Sequence, residues 1–369
     1  MLIFLGVLGL ALLAVAAYVL RGVHHIRKAG RLTAEAEAVG ARAAELSVAR
    51  GFLPGDRLDT GRAGPVPEEH GAVLAAVRSG DWRAGAAWVE AAGRDWEERY
   101  TRVYVLGDEA AQDDTWLRAW RAARPDDAAA AAVDADSALT VASNVRGALR
   151  ASQTSREQFR VFHELQAKAQ ALVEEAQALA DPADSTPYVL EQPIALGLSY
   201  PHERFRALSQ EIVERDPKNL SAHVRALQYW CHKWHGSHAQ ALTYAKEAAA
   251  LGGPGDLLSL LPLYAYFEHE THEADLDPDT YYKQPEIVAA ATAALADLAA
   301  AAPGDRRAVR LRHMLAWVLY WQDRYPEAVE QFRHIDGYIG TAPWTYVSDP
   351  ASRYLKARDY SVGRVARGA

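Results

Sequence analysis

The chain contains few of the residues that build redox and metal centres. Cys231 is the single cysteine among 369 residues, so the chain cannot form an internal disulfide or a thiolate zinc cluster. Lysine and arginine total 40 against 48 aspartates and glutamates, which gives a formal net charge of −8. Proteins that bind nucleic acid need a basic surface to neutralise phosphates. We therefore expect no nucleic-acid partner.

Catalytic and cofactor motifs are also missing. The glycine-rich stretch 252–255 is not followed by a Lys-Ser or Lys-Thr pair, so it is not a Walker loop. Neither a Gly-x-Ser-x-Gly nucleophile elbow nor a His-Glu-x-x-His helix occurs in the sequence. We expect no cofactor, and these absences make an enzyme the less favoured interpretation.

The N-terminus holds a long apolar run. Residues 2–20 contain no charged side chain, and a helix rising about 1.5 Å per residue would cross the roughly 30 Å hydrocarbon core of a bilayer. A cleaved signal peptide is the alternative, but no basic residue precedes the run. Residues 1–20 are therefore predicted to form a transmembrane helix in contact with the lipid bilayer.

Basic residues follow this run directly, at Arg21, Arg27, Lys28 and Arg31. Positive residues next to a membrane span remain on the cytoplasmic side. A single cysteine is also typical of a reducing compartment. The pattern predicts a single-pass protein of the cell membrane with a cytoplasmic soluble domain. An exported domain is the alternative.

The rest of the chain divides by composition. Residues 21–50 are basic and then rich in alanine and glutamate, which predicts a juxtamembrane helix. Residues 51–67 have the proline and glycine content of a linker. From 68 to 360, helical patterns alternate with short proline, glycine and aspartate stretches, so an all-α domain is predicted. Residues 361–369 are predicted to be a flexible basic tail.

Internal spacing suggests repeats within the all-α domain. Pro182, Pro217 and Pro254 recur at intervals of 35 and 37, close to the 34-residue tetratricopeptide period. A similar hairpin spacing occurs at Leu315, Ala316, Leu319, Tyr325, Ala328, Phe332 and Ile335. We expect a tetratricopeptide-like α-solenoid, in which each helical hairpin buries its apolar face by stacking on the next.

Three stretches carry a family resemblance: QTSREQF at 153–159, YPHERF at 200–205 and QYWC at 228–231, which continues to 238. They resemble an uncharacterised actinobacterial protein family with a tetratricopeptide-like helical-repeat domain. The resemblance covers most of the chain after the linker. It implies a helical fold and an alanine-rich bacterial source, and it implies no activity.

Two histidine pairs have the spacing of metal ligands. On a helix, His232 and His235 would share one face, and His269 and His272 repeat the interval. The two pairs could meet because only a hairpin separates their helices. The alternative is structural, with aromatic residues packing between repeats and histidines at a helix end.

An acidic loop resembles a calcium-binding EF-hand. Asp275, Asp277 and Asp279 occupy loop positions one, three and five, and Glu286 occupies position twelve. Thr280 stands where the loop needs glycine, so an acidic connection between helices is the alternative. With the histidines, this loop supports an alternative function as a metal- or calcium-binding sensor or enzyme.

The favoured function is a membrane-tethered scaffold or adaptor that holds a protein partner. Gln228, Trp230 and Trp234 are the predicted partner-binding residues, because tryptophan often anchors partners in grooves. The concave face near them would carry Ser221, Val224, Gln228 and either Cys231 or His232, with no charged side chain. The tryptophans could instead pack between hairpins.

Overall fold

The computed structural model describes residues 40–146 and 156–368. Those two ranges are helical, contain an isolated parallel bridge between Asp59 and Tyr338, and contain no strand. This confirms the predicted all-α class. No helix within them is both long and apolar enough to cross a membrane, and the predicted span at 1–20 lies outside the described residues.

Residues 40–49 form the first described helical segment, and short 3₁₀ helices occur at Gly55–Arg57 and Trp344–Tyr346. In chain order the remaining helices are α1 (Glu68–Arg78), α2 (Trp82–Glu90), α3 (Trp96–Ala110), α4 (Thr115–Ala123), α5 (Ala128–Arg146), α6 (Arg156–Leu179), α7 (Thr186–Gly197), α8 (His202–Arg215), α9 (Leu220–Trp230), α10 (His238–Ala249), α11 (Leu260–His272), α12 (Pro278–Tyr281), α13 (Pro285–Ala300), α14 (Ala308–Trp321), α15 (Tyr325–Ile335) and α16 (Pro350–Ala366).

Side-chain caps fix the starts of several helices. Asn219 accepts a hydrogen bond from the Ala222 N–H at 2.9 Å, and Asp349 accepts one from the Ser352 N–H at 2.9 Å. The first turn of a helix leaves N–H groups without partners, so such caps stabilise the helix and set its first residue. The cap at Asn219 matters most here, because it fixes the register of α9.

The helices pack as consecutive hairpins. Helix α7 packs against α8, α9 against α10, and α10 against α11, and the alternate pairs α7 and α9, α9 and α11, and α11 and α14 are also in contact. The hairpin of α14 and α15 contains the spacing that predicted it, with Leu315 and Phe332 fully buried. This arrangement is compatible with a helical-repeat domain.

Residues 51–67, predicted as a linker, lie packed against the C-terminal helices. Phe52 is buried, and the Ile339 N–H donates to the Asp59 carbonyl at 2.7 Å. Nε2 of the fully buried His313 is 2.8 Å from the Ala63 carbonyl oxygen. Proline and glycine describe only the local backbone, so composition could not reveal these long-range contacts.

Residues 361–366, predicted as part of a flexible tail, belong to α16. Ser361 and Val362 are buried, and the Ser361 hydroxyl donates to the Ala357 carbonyl at 2.8 Å. Arg364, one of the basic residues that suggested a tail, is partly buried on α16, and Arg367 lies just beyond the end of the helix. Burial of Ser361 and Val362 holds the last turns of α16 in place.

Candidate binding cavities

Helix α9 presents one polar face to the interior. Ser221, Val224, Arg225 and Gln228 follow the helical spacing of three and four residues, so they share that face. They line a cavity of about 290 Å³. We call it the arginine cavity, and define it by Tyr100, Ser221, Arg225, Gln228, Tyr264 and Arg310. The face was predicted to be uncharged, and Arg225 shows that this prediction was wrong.

The arginine cavity has an excess of positive charge. No aspartate or glutamate is among its lining residues within the part of the chain that the structure describes. Arg225 donates a hydrogen bond to the Tyr100 hydroxyl. Arg310 lines the cavity and makes no hydrogen bond or ion pair with residues 40–146 or 156–368. Its guanidinium is therefore available to a ligand.

A buried acid near Arg225 does not cancel this charge. Asp136 of α5 is only 4% exposed, and its Oδ2 atom has no hydrogen-bond partner in the described ranges. Burial raises the pKa of Asp136 to about 8, although the nearby Arg225 opposes the shift. The carboxyl group is mostly protonated at neutral pH, so Arg225 keeps its full positive charge.

The arginine cavity opens into a wider space of about 620 Å³, which shares Ser221 and Arg310 with it. We call this space the outer mouth. Its other charges are largely paired, as in the contact of Arg306 with Glu98. The Glu97 carboxylate accepts hydrogen bonds from the Leu220 and Ser221 N–H groups at 3.2 and 2.7 Å, at the start of α9. Arg310, an exposed residue that lines both spaces, therefore carries a positive charge without an ion-pair partner among the described residues.

A second cavity, of about 410 Å³, lies where the turn between α9 and α10 meets α11. We call it the histidine cavity and define it by His232, Lys233, His238, Glu268, His269 and His272. Three of the four predicted metal ligands therefore line one space. His238 and Glu268 were not predicted, and they contribute the most buried polar atoms of the cavity.

Two of the histidine rings in this cavity, those of His238 and His269, are held neutral. His238 stacks on His269 with ring centroids 3.7 Å apart and planes 9° from parallel. Burial and the adjacent His269 lower the pKa of His238 to about 4, and burial also lowers the pKa of His269. Both imidazoles are therefore uncharged at neutral pH.

Glu268 is bonded through only one of its two oxygens. Oε1 accepts from Lys233 at 2.8 Å, from Gln228 at 2.9 Å and from the Tyr346 hydroxyl. Oε2 is buried and has no hydrogen-bond partner among the described residues. Nδ1 of His272 lies 3.6 Å from Oε2, which is beyond hydrogen-bonding distance.

His235, the fourth predicted ligand, does not line the cavity. Helix α9 ends at Trp230, so His232 and His235 lie in the following turn and do not share a helical face. Nε2 of His235 is 3.0 Å from the Leu196 carbonyl oxygen. Within residues 40–146 and 156–368, no three His, Cys, Asp or Glu side chains are arranged to hold a metal ion.

The carboxylates of the predicted calcium loop have separate roles. Asp277 accepts a hydrogen bond from the Asp279 N–H at the start of α12, and Asp279 pairs with Lys283 at 2.9 Å. Glu286 lies in the first turn of α13, and Asp275 is exposed. They lie in an acidic connection between helices, and calcium binding by this loop stays a prediction.

The predicted partner-binding residues lie on different faces. Gln228 lines the arginine cavity, whereas Trp230 is buried against Phe205 and beneath the guanidinium of Arg206. Trp234 is partly buried beside His235. A single surface made of all three side chains does not exist in this fold, and their role in binding stays a prediction.

Cys231 is a buried structural thiol. It donates to the Leu227 carbonyl at 3.3 Å. Burial raises the pKa of Cys231 to about 12, so little thiolate exists at neutral pH. Because the thiolate is the nucleophilic form, this residue is a poor candidate for covalent catalysis.

Comparisons of the chain with protein-family models, with curated proteins and with solved structures gave no match. The resemblance to an actinobacterial family therefore stays a prediction, as does the tetratricopeptide type of the repeats. The function must be inferred from the two cavities.

Proposed function

We propose that this chain is a protein-interaction module whose arginine cavity binds an acidic segment of a partner protein. The observation that carries the proposal is that Arg225 and Arg310 line a cavity without a single carboxylate among its described lining residues. Isolated positive charge in a partly desolvated space favours a negatively charged ligand.

The other lining groups suit a peptide. Guanidinium groups bind carboxylates through two parallel hydrogen bonds. Ser221, Gln228 and Tyr264 offer hydroxyl and amide groups that can bond to a peptide backbone. A space of about 290 Å³ suits one acidic side chain or a terminal carboxylate. The flanking residues would then lie across the outer mouth.

The proposed architecture is a tetratricopeptide-like α-solenoid in which α9 contributes to the concave face. Its support is the packing of consecutive hairpins, in which alternate helices also contact one another. Placing Ser221, Val224 and Gln228 on a shared inner surface agrees with this proposal. Concave surfaces of helical-repeat domains are where extended segments bind.

Binding of short peptides to the full chain tests the proposal. The probe is a fluorescein-labelled Glu-Ala decapeptide with an amidated C-terminus, compared with its Gln-Ala analogue and with a free-acid version of each. Fluorescence anisotropy should show tight binding of acidic forms only. Arg310→Gln should weaken binding by roughly tenfold or more, because a hydrogen bond to a charged group contributes about 1.5–3 kcal/mol.

Arg118→Gln is the matched control, because Arg118 is exposed on α4, far from either cavity in sequence, and pairs only locally with Asp114. It should leave the affinity unchanged. Equal binding of the glutamine peptide, or an Arg310→Gln protein that binds as well as the wild type, would rule out the acidic-segment proposal.

We further propose that residues 1–20 tether this module to the cell membrane, with the helical domain in the cytoplasm. The support is the uncharged run at 2–20 and the basic residues that follow it. The full chain should stay in the membrane pellet after an alkaline carbonate wash. Leu10→Arg should release part of it, since an arginine at mid-span costs about 2.5–3.5 kcal/mol. A wild-type chain that is washed off would refute the tether.

A further inference from the structure

The histidine cavity contains two buried polar atoms that no group among the described residues satisfies. Glu268 is only 4% exposed, and its Oε2 atom has no hydrogen-bond partner in the described chain. Nδ1 of His238 is likewise buried and without a partner there. Buried polar atoms are nearly always hydrogen-bonded in folded proteins, so two exceptions in one cavity point to a missing partner.

Neighbouring groups cannot provide that partner. Nδ1 of His272, which lies 3.6 Å from Oε2, is only 2.8 Å from the backbone carbonyl of Glu268 and is committed there. The Lys233 ammonium is held by Oε1 at 2.8 Å and by the Tyr346 hydroxyl at 3.0 Å. Glu268, which lines the cavity, therefore keeps Oε2 as a buried acceptor without a donor among the described residues.

The charge balance of the cavity is negative. Glu268 and Glu273 contribute two carboxylates, against one ammonium on Lys233. His238 and His269 are neutral at neutral pH because burial lowers the pKa of each. Neutral imidazole offers one nitrogen as a hydrogen-bond acceptor. The cavity thus combines net negative charge with free acceptors, which a cation carrying N–H donors would complement.

We propose that the histidine cavity binds a small organic ammonium ion, whose N–H groups donate to Glu268 Oε2 and to His238 Nδ1. The volume of about 410 Å³ lies within the range of roughly 300–1,000 Å³ found for small-molecule sites. A metal ion fits less well, since no three ligand side chains in the described ranges converge. The stacked imidazole rings provide a polarisable wall beside the cation.

This inference does not depend on the acidic-segment proposal. The two cavities are proposed to take ligands of opposite charge, and they share no lining residue. Arg310→Gln lies in the arginine cavity and should leave ammonium binding unchanged. Each proposal can therefore fail while the other stands.

Isothermal titration of the full chain with three probes tests the inference: methylammonium, putrescine and tetramethylammonium. The first two carry N–H donors, and the third has the same charge without any. The primary ammonium ions should bind saturably, and tetramethylammonium should bind roughly tenfold more weakly or not at all. Histidine ring signals in NMR spectra should shift with the same saturation curve.

Two variants locate the site. Glu268→Gln removes the negative charge, and His238→Phe keeps a ring to stack on His269 while removing the acceptor nitrogen. Each should lower the affinity for methylammonium by roughly tenfold. His334→Gln, at an exposed histidine on α15, should have no effect. If Glu268→Gln does not fold, His238→Phe still decides the matter.

Absence of saturable binding at millimolar methylammonium would overturn the inference. So would equal binding of tetramethylammonium, because hydrogen bonds to the two free acceptors would then contribute nothing. Stoichiometric zinc that displaces methylammonium would replace the proposed ligand with a metal.

Discussion

The two cavities share helix α11 and have opposite charge. In the arginine cavity, α9 contributes Arg225 and α14 contributes Arg310, and no lining carboxylate from the described chain opposes them. In the histidine cavity, α11 contributes the buried carboxylate of Glu268. Gln228 lies between them, since it lines the first cavity and donates to Glu268 in the second.

The comparison shows that burial can select a ligand's charge by neutralising the neighbours of one ion. Burial raises the pKa of Asp136 to about 8, so the acid beside Arg225 is mostly neutral. Burial lowers the pKa of His238 to about 4, so the base near Glu268 is also neutral. Arg225 is left without an ionised acid beside it, and Glu268, although Lys233 pairs with its Oε1 atom, keeps Oε2 without a partner among the described residues. The same physical effect would give the two proposed sites opposite selectivity.

Two glycines should set the stability of these cavities, and their replacement is expected to have the largest effect. A Cβ atom at Gly236 would lie 2.0 Å from the Trp230 carbonyl oxygen, which is rigid backbone. A Cβ at Gly107 would lie 2.2 Å from Oδ2 and 2.7 Å from Cβ of Asp136, so α3 and α5 would have to move apart. Gly236→Ala should cost about 3 kcal/mol or more in the free energy of unfolding, and Gly107→Ala about 2 kcal/mol.

Urea denaturation measures both losses. Gly71→Ala is the control, because nothing lies within 4 Å of its added Cβ and alanine favours the helix by up to about 1 kcal/mol. A Gly236→Ala protein as stable as the wild type would mean that the turn between α9 and α10 does not depend on this close approach.

Removing the partner of the buried carboxylate should have the next largest effect. Lys233→Met leaves Glu268 without its cation, and Lys233 is only 22% exposed in its side chain. We expect the free energy of unfolding to fall by about 2 kcal/mol. This is less than the loss for a fully buried ion pair, because water reaches the lysine. The double variant with Glu268→Gln should recover part of this loss.

Lys283→Met provides the surface comparison for Lys233→Met. Lys283 pairs with Asp279 and Asp323 on the exposed side of the chain, so its loss should cost less than about 1 kcal/mol. Equal losses for the two lysines in urea denaturation would contradict the distinction between a buried and a solvated ion pair.

Much of the fold could be predicted because it depends on local patterns. The spacing from Leu315 to Ile335 predicted a hairpin that the structure contains as α14 and α15. Proline, glycine and acidic residues marked most of the helix ends. The packing of residues 51–67 could not be predicted, since the contact of Ala63 with His313 joins residues 250 apart. A single sequence gives no information on such pairs.

The candidate sites were predicted less completely. Three predicted histidines meet in one cavity, but His232 and His235 were paired on a helix that ends at Trp230. Arg225 could have been found, because it lies four residues after Ser221 and three before Gln228 on one helical face. Glu268 could not have been found from the sequence, because its importance depends on the buried Oε2 atom, which has no hydrogen-bond partner among the described residues.

Asp136 should make stability depend on pH through the arginine cavity. Its folded-state pKa, raised to about 8, is above the unfolded value of about 3.9, so the folded protein holds an extra proton between these pH values. The contribution of the Asp136 carboxyl to the free energy of unfolding is therefore full at low pH and is lost as the pH rises toward 8. The slope is at most about 1.4 kcal/mol per pH unit.

Asp136→Asn should remove this slope. The difference in unfolding free energy between wild type and variant, measured by urea denaturation from pH 5 to 9, cancels the contributions of the histidines. As the pH rises, the unfolding free energy of the variant should increase relative to that of the wild type, and the difference should become constant near pH 9. A difference that does not change with pH would mean that Asp136 is ionised throughout, and that Arg225 is neutralised by it.

The smallest expected effects concern Gln228 and Trp230, which test whether the two cavities are coupled. Gln228→Ala should weaken the binding of both the acidic peptide and methylammonium by about threefold, since its amide lines the arginine cavity and donates to Glu268 in the histidine cavity.

Trp230→Phe should change neither affinity, because the Trp230 ring packs on Phe205 on another face of α9. Anisotropy and titration measure both. If Trp230→Phe weakens peptide binding as much as Arg310→Gln does, the partner reaches the outer face of α9, and the arginine cavity is only part of the interface.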